Sequence, residues 1–189
     1  MLPNNAHKLG GLQLMYEKIM IFGCCGCGKT TLSKKIQEIT HLPLIHLDLI
    51  NWKEDWQSIS PIEFNSLLEK ELKKPYWIIE GLYTNTIEKR INYCDTIIYM
   101  DFSRWVCLYN VIKRVIKNYG KSRNGMPANC PEKFDYKFLK CIWNYNKKYR
   151  KKYLSMLKNI DNKNVFILRN RKECQRLIYK IKYDKVDDI

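Results

Sequence analysis

Gly23-Cys24-Cys25-Gly26-Cys27-Gly28-Lys29-Thr30-Thr31 fits the spacing G-x-x-x-x-G-K-[ST]. The run Lys18-Ile19-Met20-Ile21-Phe22 before it reads as a short apolar strand. The run from Thr31 to Ile39 after it has helical spacing, with Leu32, Ile36 and Ile39 on one face. A strand, a glycine-rich turn and a helix in that order give the motif a mechanism. The loop backbone of Gly23, Cys24, Cys25, Gly26, Cys27 and Gly28 curls so that successive N–H groups cradle phosphate oxygens, and the helix N-terminus adds partial positive charge. Lys29 is placed to reach the β- and γ-phosphates of ATP, and the Thr30 hydroxyl to ligate Mg²⁺, with Thr31 closing the motif.

Outward from this loop, strands and helices alternate. Leu44 to Asp48 reads as a second strand ending in a carboxylate, followed by a loop with Trp52 and Trp56. Ser60-Pro61-Ile62-Glu63 is a capping-box pattern with proline at the first helical position. It starts a helix through Leu72, to which the cap contributes ~1 kcal/mol. Tyr76 to Gly81 is a third strand, and Thr84 or Thr86 begins a short helix through Ile91. Thr96 to Asp101 is a fourth strand, and Ser103 caps a helix to about Asn118, with Val106, Tyr109 or Asn110, Ile112 and Ile116 around its buried side. Residues 119–131 form a polar, Gly/Pro-punctuated insert long enough for a lid. A long helix is expected over 132–158, a strand over 165–168 and a last helix over 172–181. Near-continuous apolar strands between helices imply an α/β chain with a parallel sheet covered on both faces. In such sheets ligands bind beyond the carboxyl ends of the strands, where Gly23, Asp48, Glu80 and Asp101 fall.

Composition bounds the rest. The 189 residues are 46% hydrophobic, enough for one domain with a sizeable core. No apolar run approaches the ~20 residues of a membrane span. Residues 1–14 lack a signal-peptide pattern and are expected to be a mobile extension preceding a single domain over 15–189. Of eight cysteines, Cys24, Cys25 and Cys27 sit in the glycine loop. No second C-x-x-C or H-x₃₋₅-H pair exists to complete a zinc site, so they read as small loop residues. Reduced thiols imply a cytoplasmic protein, and a thiol at a helix N-terminus is expected to be acidified and oxidation-sensitive.

The net charge of +15 is asymmetric: residues 1–100 carry eleven basic and eleven acidic side chains, the remainder twenty-three and eight. That excess suits either a polyanionic small molecule or nucleic acid. The segment from Trp143 to Tyr153 mixes basic and aromatic residues, as nucleic-acid contacts do. Yet Phe138, Ile142, Tyr145, Tyr149, Tyr153 and Met156 share a 3-4 spacing that makes them a buried stripe.

From Lys18 to Leu177 the chain resembles the P-loop nucleoside-monophosphate-kinase-like group. More narrowly, it is similar to the bacterial DNA topology modulation (FlaR-related) family. The narrow likeness is carried by Lys18–Thr31, His46-Leu47-Asp48 with Trp52 and Trp56, Trp77–Tyr83, Asp95–Tyr109, Ile112–Arg114, Cys130–Phe134 and Leu168–Lys172. It departs from the family pattern at Glu80, where Asp is usual, at Ser103, where Pro is common, and at Asn110, where a basic residue is common. The resemblance implies a three-layer α/β/α P-loop NTPase fold with a five-stranded parallel sheet in the order 2-3-1-4-5. It also implies a lid, over about 115–135, above bound ATP.

Within that frame Asp48 is a candidate base or acceptor-orienting carboxylate, and Glu80 a candidate Mg²⁺-shell acid beside Thr30. Arg114 and Arg123 flank the insert as candidates to stabilise the transferred phosphoryl group. Arg90 is a candidate for an acceptor's anionic group, and Trp52 and Trp56 for stacking on a planar one. Arg169 and Arg171 are placed to pack on an adenine ring. The expected activity is Mg²⁺- and ATP-dependent phosphoryl transfer to a small nucleotide-like or hydroxyl-bearing acceptor. The alternative is a nucleotide-regulated DNA-binding protein without such an acceptor.

Overall fold

Ile19, Met20, Ile21 and Phe22 have no exposed surface, and the strand they form organises everything around it. This strand, β1 (Lys18–Gly23), is the centre of a five-stranded sheet with β2 (Leu44–His46), β3 (Trp77–Glu80), β4 (Thr96–Met100) and β5 (Asn164–Leu168). Every pairing is parallel, and the order is 2-3-1-4-5 as expected. Strands β3 and β4 are buried along their whole length, which is why they read as continuous apolar runs rather than alternating ones. The computed structural model describes residues 16–122 and 126–183, together with the backbone of 8–9 and 12–13, which form a two-residue antiparallel pair. The mobile extension expected over residues 1–14 otherwise lies outside the described residues.

Helices cover both faces: α1 (Lys29–Thr40), α2 (Leu47–Asn51), α3 (Pro61–Leu72), α4 (Ile87–Tyr93), α5 (Arg104–Asn118), α6 (Tyr136–Tyr145), α7 (Lys151–Lys158) and α8 (Arg171–Tyr183). Two caps form as the sequence requires: Ser60 accepts from the Glu63 N–H at 3.1 Å, and Ser103 from the Val106 N–H at 3.4 Å. Among the described residues no helix is long and apolar enough to cross a membrane.

Three expectations change. Strand β2 ends at His46, and the chain turns directly into α2, so Asp48 lies in a helical first turn rather than at a strand end. The helix expected from 132 starts at Tyr136, capped by Asp135, whose Oδ1 accepts from the Phe138 N–H at 3.1 Å. The buried face of α5 is Cys107, Val111 and Val115, whereas Val106, Tyr109, Ile112 and Ile116 are exposed. The smaller residues win because the glycine loop presses against that face, as described below, and larger ones leave no room.

Between α6 and α7 the chain makes one π-helical turn, Asn146–Arg150. The wider turn keeps Tyr145 and Tyr153 buried, and Tyr153 packs edge-on to Phe22 at 5.3 Å. The tyrosines that suggested base stacking are therefore core residues. The same turn brings Arg150 onto Asp101, with Nε and Nη2 each 2.8 Å from a carboxylate oxygen. Asp101 thus clamps the helix to the end of β4 and leaves the capping of α5 to Ser103. The Asp101 side chain is 1% exposed and Arg150 45%, so removing Arg150 leaves a buried charge to the more distant Arg169 at 3.9 Å. Arg150→Ala is expected to cost about 1–3 kcal/mol, less than a fully enclosed pair, and urea unfolding measures it.

Candidate functional site

The carboxyl ends of β1, β2 and β3 open into a pocket of about 1120 Å³. Its floor is the glycine loop. Gly26 (φ 82°) and Gly28 (φ 98°) adopt left-handed conformations, and Gly28 passes directly into α1. A Cβ at Gly26 would lie 2.4 Å from the Cys107 carbonyl and 2.7 Å from Val111, so the loop backbone rests against the small-residue face of α5. Cys25, Gly26, Cys27, Gly28, Lys29, Thr30 and Thr31 line the pocket, whereas Gly23 and Cys24 do not. Lys29 Nζ folds back across the loop, donating to the carbonyls of Gly23 at 3.1 Å and Cys24 at 3.0 Å.

Glu80, at the end of β3, is the hub of the site. Its Oε1 accepts the Thr30 hydroxyl at 3.0 Å and lies 2.7 Å from His46 Nδ1. The parallel register causes this meeting: His46 on β2 pairs with Glu80 on β3, so both side chains leave the sheet on the same side. Burial pulls the Glu80 carboxyl upward, but His46, Lys29 and Thr30 outweigh it and hold it below the usual carboxylate range. Lys29 behaves in the mirror sense. Burial depresses its ammonium, while Cys27, Cys25, Glu80 and Asp48 around it raise it on balance.

Across the pocket Asp48 accepts the Tyr83 hydroxyl at 3.0 Å, and burial and the Asp48 charge both push that phenol far up, keeping it a donor. Gly81 permits the approach of this half. A Cβ there would lie 2.8 Å from Leu47 Cβ, closing β3 against α2. Trp52 and Trp56 line the pocket with their rings edge-to-face at 5.5 Å. The sequence offered no sign of the roles of His46 and Tyr83. His46 is a lone histidine whose partner is 34 residues away, and the Tyr83 ring stacks on Phe64 like an ordinary core residue.

Arg90 is elsewhere. Its side chain is fully buried, with Nη1 on the Gly81 carbonyl at 3.0 Å, Nη2 on Leu82 at 2.6 Å and Nε on the Thr86 hydroxyl at 3.1 Å. It ties down the turn after β3 and presents nothing to a ligand, so the expectation of an anion contact is corrected. Arg114 lines the pocket, with Nε 2.9 Å from Glu132 Oε1 on the returning arm of the insert. Arg123 lies outside the described residues. Arg171 lines the pocket from the start of α8, its Nη2 3.5 Å from Asn110 Oδ1, and Asn110 in turn donates to the Gly26 carbonyl at 2.8 Å. Arg169 sits outside the main pocket, 3.9 Å from Asp101. Cys24 and Cys27 are not acidified as expected. The hydrogen bond to Cys107 and burial push Cys24 far up, and burial pushes Cys27 up to about 12.

The insert is built as two paired arms. Gly120 N–H donates to the Glu132 carbonyl and Glu132 N–H to that of Lys121, each at 3.0 Å. The returning arm docks on the tryptophan loop. Trp56 Nε1 donates to the Pro131 carbonyl at 3.2 Å, Asp55 N–H to that of Asn129 at 3.2 Å, and Cys130 Sγ to that of Lys53 at 3.3 Å.

No family model matches the chain, and no curated protein matches it by sequence. Solved structures do resemble it. One is a shikimate kinase from Acinetobacter baumannii in complex with shikimate, at TM-score 0.55 and 14% identity over 92% of this chain and 95% of that one. Another is a shikimate kinase from Bacteroides thetaiotaomicron, at 0.51 and 16% over 88% and 96%. A third is a gluconokinase from Sinorhizobium meliloti, at 0.51 and 11% over 91% and 97%. At such identities the likeness is one of fold alone, a three-layer α/β/α P-loop NTPase architecture.

Gly26→Ala forces a Cβ into a backbone carbonyl at a left-handed residue. It is expected to cost about 2 kcal/mol or more and to lower the urea midpoint accordingly.

Proposed function

We propose that this protein transfers the γ-phosphoryl group of ATP to a hydroxyl of a small acceptor, with Mg²⁺. The observation that carries the reading is the single pocket in which Lys29 and the Thr30–Glu80 pair face Asp48 and Tyr83. The donor set fits the expected ligands. Positive-φ glycines expose loop N–H groups to phosphate oxygens, and a hydroxyl beside a charged carboxylate is the kind of oxygen pair that takes Mg²⁺ directly or through water. The ion, when bound, would neutralise charge on the β- and γ-oxygens.

The chain's own residues then divide the work. Lys29, now bonded to the loop carbonyls, would exchange them for phosphate oxygens. Glu80 holds Thr30 in place, and His46 holds Glu80. Asp48 orients the acceptor hydroxyl and receives its proton as the oxygen bonds to the γ-phosphorus and ADP leaves. Arg114 and the insert, whose sequence includes Arg123, would act as a lid that adds positive charge and excludes water. Arg171, linked through Asn110 to the loop, would flank the adenine, with Arg169 beside it.

The test is ADP release from Mg-ATP across a panel of nucleosides, nucleoside monophosphates and small hydroxylated compounds, with duplex DNA as a separate arm. Stimulation by a small acceptor is expected, and stimulation by DNA alone would favour the DNA-associated alternative. Lys29→Ala should reduce turnover at least about a hundredfold without unfolding the chain, and full activity in that variant overturns the reading. Asp48→Asn should lower kcat by about 10²–10⁴ with ATP affinity unchanged.

A further inference from the structure

We propose that the acceptor is an uncharged ring bearing hydroxyl groups, of the cyclitol, sugar or nucleoside kind, gripped by Trp52, Trp56 and Tyr83 and oriented by Asp48. This rests on the phosphoryl-transfer reading and narrows it to a substrate class that excludes carboxylates and phosphate monoesters.

The charge arrangement of the pocket is the first ground. The segment that builds the acceptor half runs from Leu44 to Asp95, and its basic residues are Lys53, Lys70, Lys73, Lys74, Lys89 and Arg90. None of these lines the pocket. Lys53, Lys73, Lys74 and Lys89 pair with glutamates on and around α3, away from it. Arg90, the one arginine of the segment, is buried behind the turn with its head group on backbone carbonyls. What this half presents instead is the carboxylates of Asp48 and Glu80. An anionic acceptor would lie against like charge in a partly desolvated site, with no guanidinium fork from these loops to hold it. The cations that do line the pocket among the described residues belong to the phosphate loop and α1, to α5, to the insert and its exit, and to the start of α8. On the phosphoryl-transfer reading, Lys29, Arg114 and Arg171 among them serve the phosphates and the nucleotide.

The walls are the second ground. Trp52 and Trp56 form an edge-to-face pair, and the Trp56 indole N–H is already satisfied by the Pro131 carbonyl. The ring therefore contributes its apolar body. Asp55 (φ 56°) and Trp56 (φ 60°) are consecutive left-handed residues, a costly backbone that the insert's bonds to this loop hold in place. Tyr83 adds a third ring, fixed by Phe64 on one side and by Asp48 at its hydroxyl. Aromatic faces suit the C–H face of a saturated ring or the plane of a base. Asn51 and Asp48 beside them supply the amide and carboxylate that ring hydroxyls need.

The experiment uses the full chain with Mg-ATP and matched acceptor pairs: inositol against inositol monophosphate, glucose against gluconate, and thymidine against thymidine monophosphate. ADP release is read for each, and Mg-ATP binding is followed separately with a fluorescent analogue. A neutral member should be preferred over its anionic partner by about tenfold or more in kcat/KM. Trp52→Ala should raise the KM of that acceptor about tenfold and leave the KM of ATP within about twofold, and Trp52→Phe should recover most of the loss. Preference for an anionic member overturns the substrate class and leaves phosphoryl transfer standing. Mg-ATP binding with no release on any acceptor, neutral or anionic, overturns both.

Discussion

One buried carboxylate holds the site together. Glu80 sits at the end of a strand with no exposed residue, and an ionised acid there is tolerable only if its neighbours replace the water it has lost. They do so from two separate elements: Lys29 and Thr30 from the start of α1 and His46 from β2. Remove the acid, and the first turn of α1 and the end of β2 lose their common partner. The parallel register fixes this meeting before any ligand arrives, because Ile21, Glu80 and His46 occupy matching rungs of three adjacent strands. Preorganisation of this kind is inherited from backbone hydrogen bonding rather than built side chain by side chain.

The same logic explains the choice of small residues around the loop. A glycine in a left-handed turn is needed to expose N–H groups, but Gly26 also needs a neighbour that lets its backbone approach closely. Cys107 and Val111 provide it, and Asn110 on the next face of α5 adds a direct bond to the Gly26 carbonyl. The loop's geometry is thus a property of two elements more than eighty residues apart. A basic residue at 110 would not make that bond to the carbonyl in the same way, since an amide at that distance serves the loop on one side and Arg171 on the other.

Much of this was legible in the amino acids. Apolar runs bounded by Gly, Pro and Asp marked five strands, and Ser60 and Ser103 marked two helix starts, because those signals are local. The likeness of the motifs to a known fold supplied the strand order. The buried side of α5 was misread because size was weighed over fit, and the larger residues of a helix that is apolar on two sides look like the core face. The clamp between Asp101 and Arg150 depends on a π-helical turn, which breaks the 3.6-residue period on which such reading relies. Arg90 near a strand end looked like a ligand contact. Only the folded backbone reveals that three carbonyls of the turn converge on its guanidinium. His46 and Tyr83 stand within the motif stretches without showing their roles for a related reason: each acquires its role from a partner brought near by sheet pairing or strand-end packing.

The docking of the returning arm of the insert on the tryptophan loop has an energetic corollary. Three hydrogen bonds join the returning arm of the insert to the tryptophan loop, and the Arg114–Glu132 pair joins the same arm to α5. Two parts so fastened share one conformational equilibrium. A molecule that orders either of them prepays the ordering of the other, and linkage makes the gain symmetric. Whatever factor a ligand on one part adds to the affinity of a ligand on the other, the second returns to the first.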